Sequence, residues 1–290
     1  MLAVLFGALA GASFGALMIG VRRGLMRGVD AYAGAVAMLG VAVVVAALIA
    51  IPATIGKDVH ASDLWPFLLV GLVAPGAAQI ILIMAVRDAG PSRAAILIGT
   101  APLISVAIAL TLLNEPFRPL LLAGTILVVA GGIALVLERS RPEHFKPLGV
   151  ALALLCALLF GIRDNVARWA AKEAHPPALL ATTVALVAAF ALVFAFVVLT
   201  RPKAIRSGMG NAVVAYAPAG AALGLGYAFL LLAFDHGRVS IVAPLNATQS
   251  LWAVVFAALL IGRHHEKIGP RLVAAGLLVV AGSSVIGIVR

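Results

Sequence analysis

The chain has 290 residues, 63% of them hydrophobic and 11% charged, well short of the roughly one quarter charged that an ordinary soluble domain carries. That balance excludes a soluble globular protein. The net charge of +10, with 21 Lys and Arg dispersed over the connections between apolar stretches, is a topology signal and excludes a nucleic-acid-binding face.

Apolar runs near 20 residues, the length that crosses roughly 30 Å of hydrocarbon as a helix, recur ten times. The first, Leu2 to Val21, has no basic segment before it and is echoed by the run from Leu148, so it is a retained helix and not a signal peptide. It ends in Arg22, Arg23 and Arg27. The second is Tyr32 to Ile51, closed by Pro52. A polar turn and an interfacial Trp65 lead into the third, which runs to Val86 with Pro75, Gly76 and Gln79 in its middle; the proline predicts a bend. The fourth follows Gly90-Pro91 to Leu113 and holds Thr100, Pro102 and Ser105. The fifth is Pro119 to Leu137. A charged connection over 138–147 stands at the chain's midpoint and divides it into halves, 1–137 and 148–290. The remaining runs start at Pro147, Pro177, Ala212, Ser240 and Leu272. Cys156 is the one cysteine and lies inside an apolar run, so neither a disulfide framework nor a thiolate metal site is available.

The two halves repeat each other. Shifted by 148 residues, Ala85, Ser92, Leu97, Thr100, Leu103 and Val106 fall on Ala233, Ser240, Leu245, Thr248, Leu251 and Val254. Beyond a three-residue insertion near Arg263 to His265 the shift is 151, which puts Glu115 on Glu266 and Leu127 to Gly131 on Leu278 to Gly282. At a shift of 146, Phe14-Gly15 and Arg22 match Phe160-Gly161 and Arg168. Five crossings per half is an odd number, so the second copy must be inverted relative to the first, with a cavity between the halves near the bilayer midplane. The predicted fold is an all-α membrane protein of ten transmembrane helices in two inverted five-helix repeats around a central cavity.

The proline-containing small-residue helix that runs into Asn114-Glu115, then Gly124 and Val128 to Gly132, resembles the EamA family of the drug/metabolite transporter superfamily. Arg238 to Leu245 is similar to the same motif, and Phe14-Gly15 to the family's aromatic-glycine pair. The insertion Gly262 to Glu266 departs from the usual glycine-glutamate ending. The resemblance covers nearly the whole chain. It implies ten helices, a substrate cavity, export of amino acids or other small metabolites across the bacterial inner membrane, and both termini in the cytoplasm.

The sixth run carries the sharpest candidates. Its uninterrupted apolar part, Pro147 to Ile162, is 16 residues, about 24 Å of helix and too short to span. Either the membrane stops there and Arg163 and Arg168 reach head groups above Trp169, or Arg163, Asp164 and Asn165 enter it. Leu17, Met18 and Ile19 match them in the first run, an asymmetry that suits a substrate site. Asp164 is the best acid in the chain and would carry any proton coupling. In the ninth run Asn246, Gln249 or Ser250, and Ala253 share a helical face flanked by Thr248 and Trp252; uncharged amides can bond both ends of a zwitterion, or simply bond helix to helix. Gln79 and Tyr227 coincide at the 148 shift and are expected to face each other across the pseudo-twofold axis, unless Tyr227 is only packed. The candidate substrate-binding set is Gln79, Thr100, Asp164, Asn165, Tyr227, Asn246, Gln249 and Trp252. Gly131, Gly132 and Gly282 read as close helix packing. His264-His265-Glu266 is an improbable metal cluster, because adjacent loop histidines point apart. No metal or cofactor is expected.

No Gly-rich loop with a Lys-Ser/Thr ending is present, so ATP is not the direct energy source. These readings describe a secondary carrier, expected to be monomeric in the lipid bilayer, that exports small metabolites such as neutral or aromatic amino acids. An exchanger of phosphorylated or nucleotide-linked sugars is the alternative; it calls for a cluster of cavity cations, and only Arg163 qualifies. A membrane-embedded enzyme finds no Ser-His or His-Asp pair at catalytic spacing. Connections after odd-numbered runs hold 14 Lys and Arg, those after even-numbered runs 7, which places the odd ones in the cytoplasm and the termini outside, against the family habit.

Overall fold

The computed structural model describes residues 1–56, 58–89, 97–136, 147–174, 176–206 and 208–260, and within the last run residues 274, 277–279, 281–282, 285–286 and 288. The elements in chain order are α1 (Leu2–Met26), α2 (Ala31–Thr54), α3 (Ala61–Gly71), a π-helical turn (Leu72–Ala77), α4 (Ala78–Ala89), α5 (Ala101–Leu112), α6 (Pro119–Val136), α7 (Pro147–Ala174) and α8 (Ala178–Thr200). A short α9 (Pro202–Arg206) precedes α10 (Met209–His236), α11 (Val239–Asn246) and α12 (Gln249–Leu260). The described residues of the tenth run are helical, and no strand occurs among the described residues. The fold is a ten-helix membrane protein built as two inverted repeats. The connection 138–146, the start of the fourth run at Gly90-Pro91 and the cluster His264-His265-Glu266 lie outside the described residues.

Among the described residues, six helices are long and apolar enough to cross a membrane. Their outward apolar side chains, such as Val44, Leu48, Leu199 and Val214, stand exposed, as hydrocarbon contact requires. Local chemistry sets several ends. Gly28 takes a positive φ of 72°, which stops α1. The Asp30 carboxylate then accepts from Tyr32 N at 2.9 Å and Ala33 N at 3.0 Å, capping α2. Nothing before Gly28 breaks the helix, so α1 continues past Val21 through Arg22 and Arg23. The expected bend of the third run is real: Ala74, with φ −152° and ψ 127°, interrupts the helix immediately before Pro75. The expected stop at Pro52 is not, because α2 runs on to Thr54, whose hydroxyl donates to Ala50 O at 2.9 Å and Ile51 O at 3.1 Å.

Each half sends its first helix into the other. α1 packs on α10, α11 and α12, whereas α7 packs on α3, α4 and α5. Glycines permit both crossings in the same way. A Cβ on Gly15 would meet the backbone of Trp252 and Ala253 at 2.8 to 2.9 Å, and one on Gly161 would meet Ile104 Cγ2 at 2.8 Å and Ser105 N at 3.3 Å. Ile104-Ser105 and Trp252-Ala253 are the same positions of the two repeats at the 148 shift. The fourth and ninth runs are also interrupted alike, by turns at Gly99-Thr100 and Ala247-Thr248. The Thr100 hydroxyl donates to Leu97 O at 2.6 Å, and the Thr248 hydroxyl to Leu245 O at 2.7 Å. α6 and the tenth run cross at Gly124 and Gly282, where each carbonyl stands within 2.9 Å of the other residue's would-be Cβ. This is the close packing expected of small-residue helices in lipid.

The connections sort onto two faces. On one, Glu115 bonds the start of α11, Arg168 bonds the end of α10, and Trp65 meets Trp169 edge to face at 6.4 Å. On the other, the Arg201 guanidinium lies 5.0 Å from the Tyr32 ring, and α9 packs beside the start of α2. Among the described residues, the connections after even-numbered runs therefore share one face with the start of α1, and those after odd-numbered runs share the opposite one.

Candidate functional site

Helix α7 does not stop at Ile162; it continues without a break to Ala174. Arg163, Asp164 and Asn165 are buried inside the bundle, each about 5% exposed or less. Of the two readings open in the sequence, entry of the polar triplet into the protein is the one observed. A charge at membrane depth costs roughly 2.5 to 3.5 kcal/mol on insertion scales, so the arrangement of partners decides whether it is tolerated.

Each nitrogen of Arg163 and each carboxylate oxygen of Asp164 has a partner. Arg163 Nε and Nη2 both donate to Asp164 Oδ1, at 2.9 and 2.6 Å, and Nη1 donates to the Tyr227 hydroxyl at 3.1 Å. The second Asp164 oxygen accepts from Ser105 Oγ at 2.9 Å. The guanidinium also lies 4.9 Å from the Phe160 ring centroid and 5.5 Å from that of Tyr227, within cation–π range. Phe14 meets Tyr227 edge to face at 5.6 Å. The aromatic-glycine pairs of the two halves thus converge: Phe160 covers the cation, Phe14 buttresses the tyrosine, and the adjacent glycines admit the helices.

Asn165 has a fixed orientation. Its amide nitrogen donates to Gly161 O at 2.8 Å and Ser105 O at 3.0 Å, and since both partners only accept, the amide cannot be reversed. Its Oδ1 is left buried without a partner. An unpaired buried acceptor costs about 1–3 kcal/mol, and such a group inside a polar cluster is a place for a ligand's N–H or O–H. The site is neutral overall, a cation and an anion side by side with amide, hydroxyl and phenol around them.

The other sequence candidates are distributed as follows. Asn246 is buried at the end of α11 with its Oδ1 unpartnered. Gln249 and Trp252 are half-buried on α12, beyond the turn at Ala247-Thr248, so the helical face expected to join Asn246 to Gln249 is interrupted between them. Trp252 stacks on Phe256 at 5.8 Å. Thr100 occupies the equivalent turn in the first half. Gln79 is half-buried on α4, which packs on α7, whereas Tyr227 on α10 is engaged by Arg163, Phe14 and the Thr182 hydroxyl, which reaches Tyr227 O at 3.5 Å.

Two residues of the network escaped the sequence candidate set. Arg163 was visible as a cation in a short apolar run. Ser105 had a fainter signal, a hydroxyl where the second half has Ala253. Only the packing of α5 against α7 shows that it serves Asp164.

An all-helical, inverted-repeat membrane bundle with a buried polar centre between its halves defines a small-molecule transporter architecture. The chain belongs to the EamA-like transporter family, whose model matches residues 1–137 and 147–288. A solved structure titled "Crystal structure of protein" is similar in fold, with a TM-score of 0.82 at 20% identity over 99% of this chain and 96% of the other. No curated protein matches.

Proposed function

We propose that the protein is a secondary carrier that exports neutral or aromatic amino acids across the bacterial inner membrane by alternating access between its two halves, acting as a monomer. The observation that carries this reading is the neutral polar centre at Arg163, Asp164, Asn165, Ser105 and Tyr227. It offers donors and an open acceptor to a zwitterion without presenting net charge to the membrane. The Tyr227 hydroxyl, which accepts from Arg163, keeps its own proton to donate to a carboxylate; Asn165 Oδ1 suits an ammonium. Gln79, Thr100, Asn246, Gln249 and Trp252 complete the proposed binding set on helices that are bent or interrupted, as in other inverted-repeat carriers. Both Asp164 oxygens are engaged, so Asp164 serves first as the counter-ion of Arg163, and any proton that drives transport must displace Arg163 or Ser105 from it. Among the described side chains Arg163 is the only buried cation and it is already paired, which does not favour a phosphorylated sugar as cargo.

The test is flux in liposomes. Purified protein should take up labelled neutral or aromatic amino acids without ATP and exchange them against internal unlabelled substrate. No flux across an amino-acid panel, with flux of a phosphorylated sugar instead, would overturn the proposal.

A further inference from the structure

A second polar contact, away from the central network, joins the two halves at one mouth of the bundle. After α5 the chain turns through Asn114, whose φ of 51° is left-handed, a conformation asparagine adopts more readily than most residues. The turn closes with Glu115 N donating to Ala109 O at 3.2 Å. It aims the Glu115 side chain at the start of α11. There Oε1 accepts from Val239 N at 2.9 Å and Oε2 from Ser240 N at 3.1 Å. Both oxygens of one carboxylate thus satisfy two of the donors that a helix start leaves open, where the helix dipole also favours negative charge. The cap comes from residue 115 of the first half and the helix from residue 239 of the second. Arg238 offers no side-chain cap of its own. Close to this contact a hollow of about 410 Å³, lined by Val4, Arg118, Gly237 and Ile241 among others, opens to the surface.

We infer that Glu115 is the latch of this mouth, a positioning residue whose bond to the α11 amides holds the cavity shut on the face shared by the even-numbered connections. α5 packs on α7, which packs in turn on α3 and α4; α11 packs on α1 and, across the boundary between the halves, on α5. A rocking motion that opens this face must part α5 from α11. The Arg163–Tyr227 bond at the centre can persist as the pivot while Glu115 leaves its amides. The Asn-Glu pair then has a double function: Asn114 makes the turn and Glu115 sets the balance between the two open states. The inference rests on the carrier reading, but its test needs neither substrate nor flux.

The experiment is cysteine labelling in detergent micelles, in a Cys156→Ala background, with a water-soluble maleimide. Val242→Cys reports on the latched mouth, being fully buried one turn inside the contact. Ala212→Cys reports on the opposite mouth, buried against Ala33 and Ala37. Glu115→Gln keeps the size of the side chain but puts an N–H where an acceptor is needed. It should raise the labelling rate at position 242 about tenfold and leave position 212 unchanged or slower. Val239→Pro provides a second route. Arg238 is already extended, at φ −79° and ψ 152°, and proline is well accommodated at a first helical position. It removes one latch donor without touching Glu115 and should give the same pattern. No rise at position 242 in either variant, or an equal rise at both positions, overturns the latch.

Discussion

Arg163 and Asp164 are neighbours in sequence as well as in space, and this makes their energetics unusually open to test. Removing one member of a buried ion pair strands the other and costs about 3–5 kcal/mol, whereas replacing both with apolar groups of similar volume is often neutral or stabilising. Asp164→Asn is therefore expected to lower the thermal unfolding temperature in detergent markedly, and Arg163→Met/Asp164→Leu to recover it. Transport should be lost in both. If the double variant carries substrate normally, the pair is scaffolding and the site lies elsewhere, around Asn246 and Gln249. If it fails to recover stability, the hydroxyls of Ser105 and Tyr227, now without ionic partners, outweigh the gain from removing the charges.

At the scale of helices, the crossings depend on where a methyl group can be tolerated. At Gly161 an added Cβ would collide with Ile104 and crowd Ser105 N, while at Gly210 it would meet nothing within 4 Å. Gly161→Ala is expected to destabilise by about 1–3 kcal/mol through overpacking and to reduce flux, since it pushes α5 and its Ser105 away from Asp164. Gly210→Ala should be neutral or stabilising by up to about 1 kcal/mol through helix propensity. Thermal unfolding of the two proteins side by side is the measurement, and equal stabilities would contradict the packing argument. This contrast marks what the sequence could and could not supply. Hydropathy and the 148-residue duplication expose the ten crossings, the inversion and the odd polarity of the sixth run, because each is periodic or compositional. The insertion of α1 and α7 into opposite halves is a tertiary fact with no local signature. Ser105 as the partner of Asp164, and Glu115 as a cap for a helix 124 residues away, follow only from it. The turns at Gly99-Thr100 and Ala247-Thr248 were hidden for a different reason: the threonine that makes them also fits a continuous helix.

For the molecule as a whole, the open question that charge can decide is which face meets the cytoplasm. The arrangement of Glu115, Arg168 and the Trp65–Trp169 pair puts the even-numbered connections together, and Arg201 over Tyr32 belongs to the opposite face. Of the 14 Lys and Arg counted after odd-numbered runs and the 7 after even-numbered ones, Arg163 is buried in the bundle and drops out, which leaves 14 against 6. Inverted repeats make the bundle nearly indifferent to the direction of insertion, so this excess of basic residues is free to set it by the positive-inside rule. The expected orientation has the Arg201 side in the cytoplasm and the start of α1 outside, opposite to the habit implied by family resemblance. Gly210 suits the test because it is exposed and a side chain there meets nothing. In a Cys156→Ala background, Gly210→Cys should resist an impermeant maleimide in intact cells and react once the membrane is permeabilised. Prompt labelling in intact cells would reverse the assignment and would also put the Glu115 latch on the cytoplasmic mouth.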